Sequence, residues 1–250
     1  MIDFHTHILP GLDDGAKTLD ESIQLLKMEE EQGVDTIVLT PHYYHEREDL
    51  KSFLQRRQQA YERLMTTVQK QGIPIRFYLG AEVRFTRWLA SEEAVDLCFT
   101  SEGLILVELP FQMCPPHVEQ TLSEMQLQGM IPILAHVDRY PYLRHKPDLL
   151  YQWISKGAFA QINADALLKD KDTASFVLAG MKHNLIHLMG SDTHSVDKRP
   201  PKLLQAMQVL EQKSKRQSKE YWERRAQDIL QGEELEPGEC TPIKKFLGWR

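Results

Sequence analysis

Met1-Ile-Asp-Phe-His-Thr-His-Ile8 reads as a short apolar strand carrying two imidazoles at its downstream end. Residues two apart on a strand point to the same side, so His5 and His7 can face one cation while Ile2, Phe4 and Thr6 pack opposite. A helix would turn the pair apart. His-x-His alone is a weak signal, because histidine is also an ordinary core residue. The rest of the chain decides its meaning.

Outward from this stretch, brief β-rich runs alternate with longer helical patterns, the mark of a parallel sheet crossed by helices. Seven runs predict strands at 2–6, 36–40, 75–80, 104–108, 131–135, 158–162 and 185–189, with helices at 19–32, 49–71, 116–128, 149–156, 164–181 and 200–231. Gly33, Gly72, Gly129 and Gly157 stand just after four of these helices, as C-terminal glycines do. A length of 250 residues at 42% hydrophobic content suits one α/β barrel domain, with the barrel over about 1–231 and a short polar tail at 232–250. The closing Phe246-Leu-Gly-Trp249 is apolar enough to dock on the body or a neighbour, and short enough to fray.

Composition excludes several classes. A formal net charge of -6 offers no overall attraction to nucleic acid or an anionic membrane. The three cysteines, Cys98, Cys114 and Cys240, are widely spaced and odd in number, which argues against a disulfide framework and for a reducing cytoplasm. No apolar run approaches the roughly 20 residues of a membrane span. A strand starting at residue 2 leaves no room for a signal peptide.

The residues with metal chemistry cluster after strands. The first strand delivers His5 and His7, with Asp13 and Asp14 in the following loop; the second ends in Thr40-Pro-His42; the third leads to Gly80-Ala-Glu82. Glu108 closes the fourth, His136 the fifth, and the seventh runs into Asp192-Thr-His194; the sixth lacks a strong ligand. Parallel barrels build their sites at the carboxyl ends of strands, so these residues can converge on one mouth. Each has a plain alternative. Asp13 or Asp14 can simply make a tight turn before Gly15. His42, Glu82 and His136 can be loop or strand-end residues, Glu108 half of an ion pair, and Asp192 and His194 helix caps. Together the alternatives require a coincidence at six strand ends. Spacing recommends no role for His45, His117, His145, His183 or His187.

The motifs His5-Thr-His-Ile-Leu-Pro-Gly-Leu-Asp-Asp-Gly-Ala-Lys17, Thr40-Pro-His42, Gly80-Ala-Glu82, Glu108-Leu-Pro110, Ala135-His136, Arg139-Tyr140, Ser191-Asp192-Thr-His194 and Arg199-Pro-Pro201 give the chain a specific resemblance. It resembles the polymerase and histidinol phosphatase superfamily, and within it the bacterial manganese-dependent tyrosine-protein phosphatases of capsule and exopolysaccharide operons. The match covers residues 1 to about 201. His136-Val-Asp-Arg139 departs from the more usual His-Pro-Glu-Arg, and Thr40-Pro-His-Tyr lacks the second histidine that often follows. Both departures bear on loop shape and substrate fit.

The resemblance implies a distorted (β/α)7 TIM-like barrel holding three metals. It assigns His5, His7, Glu82 and Asp192 to the first, Glu82, Glu108 and His136 to the second, and Asp14, His42 and His194 to the third. Imidazole and carboxylate without thiolate suit manganese, iron or zinc, and manganese comes from the family. Clustered cations polarise a water to hydroxide and clamp an in-line displacement on phosphorus. Arg139 and Arg199 match the family's phosphate-binding arginines, as guanidinium forks fit phosphate oxygens. A tyrosine leaving group, with a reference pKa of about 10, asks less of a general acid than an alkoxide does. The implied partner is a phosphotyrosine protein, namely the tyrosine-rich tail of an autophosphorylating bacterial tyrosine kinase.

Other chemistries fit less well. Thiol-dependent tyrosine phosphatases need Cys-x5-Arg, and six residues beyond the cysteines stand Leu104, Gln120 and Phe246. Many amidohydrolases bridge their metals with a carbamylated lysine on strand four, where this chain has Glu108. A histidinol-phosphate phosphatase of the same superfamily and a non-catalytic metal-stabilised scaffold remain as rivals.

Overall fold

The computed structural model describes residues 1–213 and 218–243. Its strands are β1 (Ile2–Thr6), β2 (Thr36–Leu39), β3 (His42–Tyr43), β4 (Arg76–Leu79), β5 (Glu82–Arg84), β6 (Leu104–Glu108), β7 (Ile131–Leu134), β8 (Phe159–Asn163) and β9 (Leu188–Gly190). All named pairings are parallel, in the orders β1-β2-β4 and β3-β5-β6-β7-β8-β9. The second and third predicted strands are thus each followed by an extra short strand, β3 and β5. Pro41 has no N–H to give a ladder, and a Cβ on Gly80 would stand 2.9 Å from Phe99 Cβ, so the chain bends at both points. Beyond the bends, His42 pairs with Glu82 and Glu82 with Leu106, which carries both side chains to the mouth of the sheet.

A seam joins the two ends of the curled sheet. Thr6 bridges Thr193 in parallel, Asp192 N–H donates to His5 O at 2.8 Å, and His7 N–H donates to Thr193 O at 3.0 Å. The arrangement is a distorted TIM-like barrel of seven strand units, as expected. Inside lie Phe4, Val38, Leu104, Leu106, Ile133, Phe159 and Leu188, closed below by Phe99, Ile229 and Leu230. Alternate residues such as Ile105, Val107, Leu134, Ala160 and Ile162 face the helices in the larger outer core.

β1 is not a regular strand. Asp3 pairs with Ile37 and Thr6 with Leu39, so β1 holds one residue more than β2 across that interval. This bulge lets Phe4 enter the inner core and His5 still turn to the mouth, whereas strict alternation would send them to opposite faces. Asp3 points outward to Glu29, where burial and the Asp3 charge push the Glu29 carboxyl well up.

The helices are α1 (Leu19–Glu31), α2 (Leu50–Gln71), α3 (Val118–Leu127), α4 (Pro141–His145), α5 (Pro147–Ile154), α6 (Lys171–Lys182), α7 (Leu203–Lys213) and α8 (Lys219–Leu230). Thr18, Asp49, Asp170 and Ser218 cap α1, α2, α6 and α8 with side-chain oxygens. The helix expected from 164 begins instead as a 3-10 turn at Ala164–Leu167, because Asp170 starts α6 afresh. The long helix expected at 200–231 appears as α7 and α8, and 214–217 lie outside the described residues. The first part of the tail packs down: Arg225 pairs with Glu234 at 2.7 Å and donates to Pro237 O, and Ile243 is buried. The docking expected of Phe246 to Trp249 falls outside the described residues.

Candidate metal centre

All nine side chains expected to hold metal meet at the carboxyl ends of the strands. Four overlapping groups bring ligand-type atoms within 4.8 Å of one another: His7 with Asp14, His42 and His194; His5 with His7 and Asp192; His5 with Glu82 and His136; and His42 with Glu82 and Glu108. Glu82 is the hub. Its Oε2 lies 3.2 Å from His5 Nε2, 3.3 Å from His7 Nε2 and 2.9 Å from His42 Nδ1, while Oε1 meets His136 Nε2 at 2.7 Å. Glu108 Oε1 stands 3.7 Å from His136 Nε2, and Asp14 Oδ1 is 3.4 Å from both His42 Nε2 and His194 Nε2.

These atoms fit cations better than they fit one another. His5 Nε2 and His7 Nε2 are 3.0 Å apart, with both residues fully buried. Two nitrogens about 2.0–2.1 Å from one ion at right angles would be separated by about 3 Å. Glu82 Oε2, His42 Nδ1 and His194 Nε2 are buried without a hydrogen-bond partner among the described residues, although each faces the cluster. Orphaned buried acceptors of this kind call for a cation, since an unpaired buried polar atom is costly.

On His5, His7 and His194 the other ring nitrogen is held from behind. His7 Nδ1 meets Asp13 Oδ2 at 2.7 Å, His5 Nδ1 meets Gln161 Oε1 at 3.3 Å, and His194 Nδ1 donates to Asp192 O at 2.9 Å. A proton fixed on each Nδ1 leaves the Nε2 lone pair for a ligand bond. Burial acts against charge on His7, but Asp13 overcomes it and holds that imidazole well above its ordinary range. Asp13 is also the turn-maker, its Oδ1 accepting from Gly15 N–H at 2.9 Å. Of the two neighbouring acids, Asp14 faces the cluster and Asp13 supports it. Burial, reinforced by the Glu82 charge, pushes the Glu108 carboxyl up to about 7.

Asp192 uses its two oxygens differently. Oδ1 faces His5, His7 and His194 at 3.5–3.6 Å. Oδ2 accepts from Asn163 Nδ2 at 2.7 Å, Arg139 at 3.3 Å and Arg199 at 2.5 Å. Both expected phosphate-binding arginines therefore stand together at the lip, each partly exposed. Asp192 and His136 occupy left-handed backbone, with φ of 53° and 32°. Such residues cost about 1–3 kcal/mol each and gather at functional sites.

Strand six contributes more than the sequence indicates. Gln161 Oε1 accepts from His136 N–H at 2.8 Å as well as facing His5, and Asn163 steadies Asp192. Gln161-Ile-Asn163 sets two amides on one face at a strand end, but a neutral amide is a weak metal ligand and marks a support only through its contacts. Glycine clears space around the paired histidines: a Cβ at Gly190 would come 2.5 Å from His5 Cβ, and one at Gly15 would come 2.1 Å from His7 O. His45, His117, His145, His183 and His187 join none of the clusters among the described residues. Burial pushes the Cys98 thiol up to about 12 and raises Cys114 and Cys240, which leaves no ready thiolate.

Beside a groove of about 550 Å3 lined by Asp14, His42, Tyr44 and Arg47, two further grooves leave the mouth. One of about 280 Å3 is lined by Arg139, Lys169, Lys198, Arg199 and Lys202, with Asp165 and Asp192. The other, about 570 Å3, is walled by Tyr44, Arg84, Glu108 and the loop from Leu109 to Pro116.

The family model described as "Capsular polysaccharide synthesis, CpsB/CapC" matches residues 1–231. Among similar proteins, the tyrosine-protein phosphatase YwqE of Bacillus subtilis is 36% identical over 217 residues, covering 84% of each chain. The tyrosine-protein phosphatase CpsB of Streptococcus pneumoniae is 30% identical over 226 residues, covering 85% of this chain and 90% of that one. A solved structure from work on YwqE of Bacillus subtilis and CpsB of Streptococcus pneumoniae, described as unique metal-dependent tyrosine phosphatases, superposes with a TM-score of 0.86. It is 31% identical and covers 98% of this chain and 100% of its own. The histidinol phosphate phosphatase of Lactococcus lactis shares the fold at a TM-score of 0.52, with 15% identity and coverage of 85% and 92%.

Proposed function

The chain belongs to the CpsB/CapC family of capsular polysaccharide synthesis, and on that footing we propose that it is a metal-dependent protein-tyrosine phosphatase. One observation carries the reading: nine histidine and carboxylate side chains, Glu82 at their hub, converge at the mouth with two arginines at their lip.

His5, His7, Glu82 and Asp192 would hold one ion, Glu82, Glu108 and His136 a second, and Asp14, His42 and His194 a third. The thiolate-free donor set suits manganese, with iron or zinc as substitutes. When bound, such ions lower the pKa of a water and draw off charge from phosphoryl oxygens. Asp13, Gln161 and the Asp192 carbonyl fix the imidazole protons on the side away from the ions. Arg139 and Arg199 present guanidinium forks to the remaining phosphate oxygens. The phenolate leaves with little help from an acid.

The substrate would be the tyrosine-rich tail of an autophosphorylating bacterial tyrosine kinase, reached in the cytoplasm by a single phosphatase domain. No described helix is long and apolar enough to cross a membrane. Manganese added back to metal-free protein is expected to restore phosphate release from a phosphotyrosine peptide and from p-nitrophenyl phosphate, with little release from histidinol phosphate. Absence of manganese-dependent turnover on the first two would overturn the reading, and a preference for histidinol phosphate would favour the small-molecule phosphatase.

A further inference from the structure

The larger groove has two aromatic walls, and each begins beside a histidine of the metal centre. Phe111 is stacked at 26° to His136 with ring centres 5.4 Å apart, and the Arg139 guanidinium lies 4.4 Å over its face. Tyr44 is stacked at 28° to His42 at 5.3 Å, flanked by the guanidinium groups of Arg47 and Arg84 at 4.8 and 5.6 Å. Both rings are half-buried and line the same groove, with Glu108 at its inner end. Farther out the wall continues in Pro115 and in Met113, which is 73% exposed. Apolar surface of this kind, rimmed by charge, marks a place that something covers.

The two rings have no polar duty toward the ions. The Phe111 side chain has no donor or acceptor, and among the described residues the Tyr44 hydroxyl meets Glu108, Glu82 and Asp14 through charge and not through a hydrogen bond. Their position does suit a flat guest. Arg139 donates to Asp192 beside the cluster and lies over the Phe111 ring, and Tyr44 lines the same groove, so a ring attached to a phosphate held by Arg139 would enter that groove beside Phe111.

We propose that Phe111 and Tyr44 form an aryl slot that takes the phenyl ring of phosphotyrosine and selects aryl over alkyl phosphate monoesters. The proposal rests on the phosphatase reading above and adds to it the residues that choose the substrate. Aromatic rings gain from offset or edge contact with one another, whereas a serine or small alkyl phosphate would leave the slot unfilled.

The test compares phenylphosphonate with methylphosphonate as competitive inhibitors of the manganese-loaded enzyme, so that no slow alkyl turnover needs to be measured. In the unaltered protein phenylphosphonate is expected to inhibit about tenfold more tightly. Phe111→Leu keeps apolar bulk but no ring, and should bring the two inhibitors within about twofold while metal content and inhibition by inorganic phosphate hold. Phe111→Tyr should retain the preference. Equal inhibition by both phosphonates in the unaltered protein would overturn the slot, as would a preference that survives Phe111→Leu. A parallel shift in inorganic phosphate inhibition would also overturn it, since Phe111 would then act by holding Arg139. If phosphotyrosine peptide is not turned over at all, the slot and the phosphatase reading fall together; turnover with no aryl preference removes the slot alone.

Discussion

At Asp192 one carboxylate joins two tasks, turning Oδ1 to three histidines and Oδ2 to Asn163, Arg139 and Arg199. The arginines and the candidate ligands should therefore separate in experiment. Arg139→Ala removes a donor to the transition-state charge, and kcat/KM for a phosphotyrosine peptide should fall about 100-fold while metal content is kept. His136→Ala should lose bound metal, measured by elemental analysis of the dialysed protein. Full activity in Arg139→Ala would remove its assigned role. Asn163→Ala takes away one support of Asp192 without touching the cluster, and metal affinity should weaken about 10- to 100-fold in titration. Asp13 shows why single residues resist sequence reading. Turn-maker or ligand are the alternatives its position allows, and it is a turn-maker that also holds the His7 imidazole, a role set by contacts no spacing describes.

Among the elements, the strand units were legible because six of the seven end in a change from apolar to metal-type residues, and His5, Glu108 and His136 mark such ends directly. The four helix-ending glycines all adopt positive φ as expected. The short strands β3 and β5 were less legible: Pro41 and Gly80 signal a break, but pairing partners past a break depend on the whole sheet. The β1 bulge leaves no local mark, since Phe4 entering the inner core and His5 turning to the mouth depend on neighbours far away in sequence. His187, which had no role in the sequence, is fully buried just before β9, its Nδ1 accepting from Ala160 N–H at 3.2 Å. Burial, aided by the Arg225 charge, holds it well below its ordinary value of 6.5. Above that value neither folded nor unfolded chain is protonated there. As pH falls through it the unfolded chain alone takes up a proton, so stability declines by about 1.4 kcal/mol per pH unit for this group. His187→Gln should therefore flatten the fall in melting temperature between pH 7 and 5 relative to the unaltered protein. An unchanged slope would show that His187 is protonated equally in both states. Gly190→Ala, which drives a methyl group at His5, should cost metal at any pH.

For the whole molecule, a net charge of -6 is unevenly spread. The smaller groove sets five cationic side chains against two carboxylates, and Lys198 and Lys202 have no carboxylate within 4.0 Å among the described residues. A positive groove beside the mouth of a negative body attracts a doubly charged phosphate, so kcat/KM should fall as salt rises and the screening length shortens toward about 8 Å at physiological ionic strength. Lys198→Glu with Lys202→Glu should flatten that salt dependence while leaving metal content alone; an unchanged dependence would place the steering charges elsewhere. The seam of the barrel bears on how the protein is made. With the proposed ligand set, a chain emerging from the ribosome shows His5 and His7 from the outset, yet Asp192 and His194 arrive only when most of it has been translated. The cage is completed last, after β9 has settled against β1. On that ligand set metal acquisition would be a late step of maturation, and an ion that met the nascent chain early would find two imidazoles and readily depart.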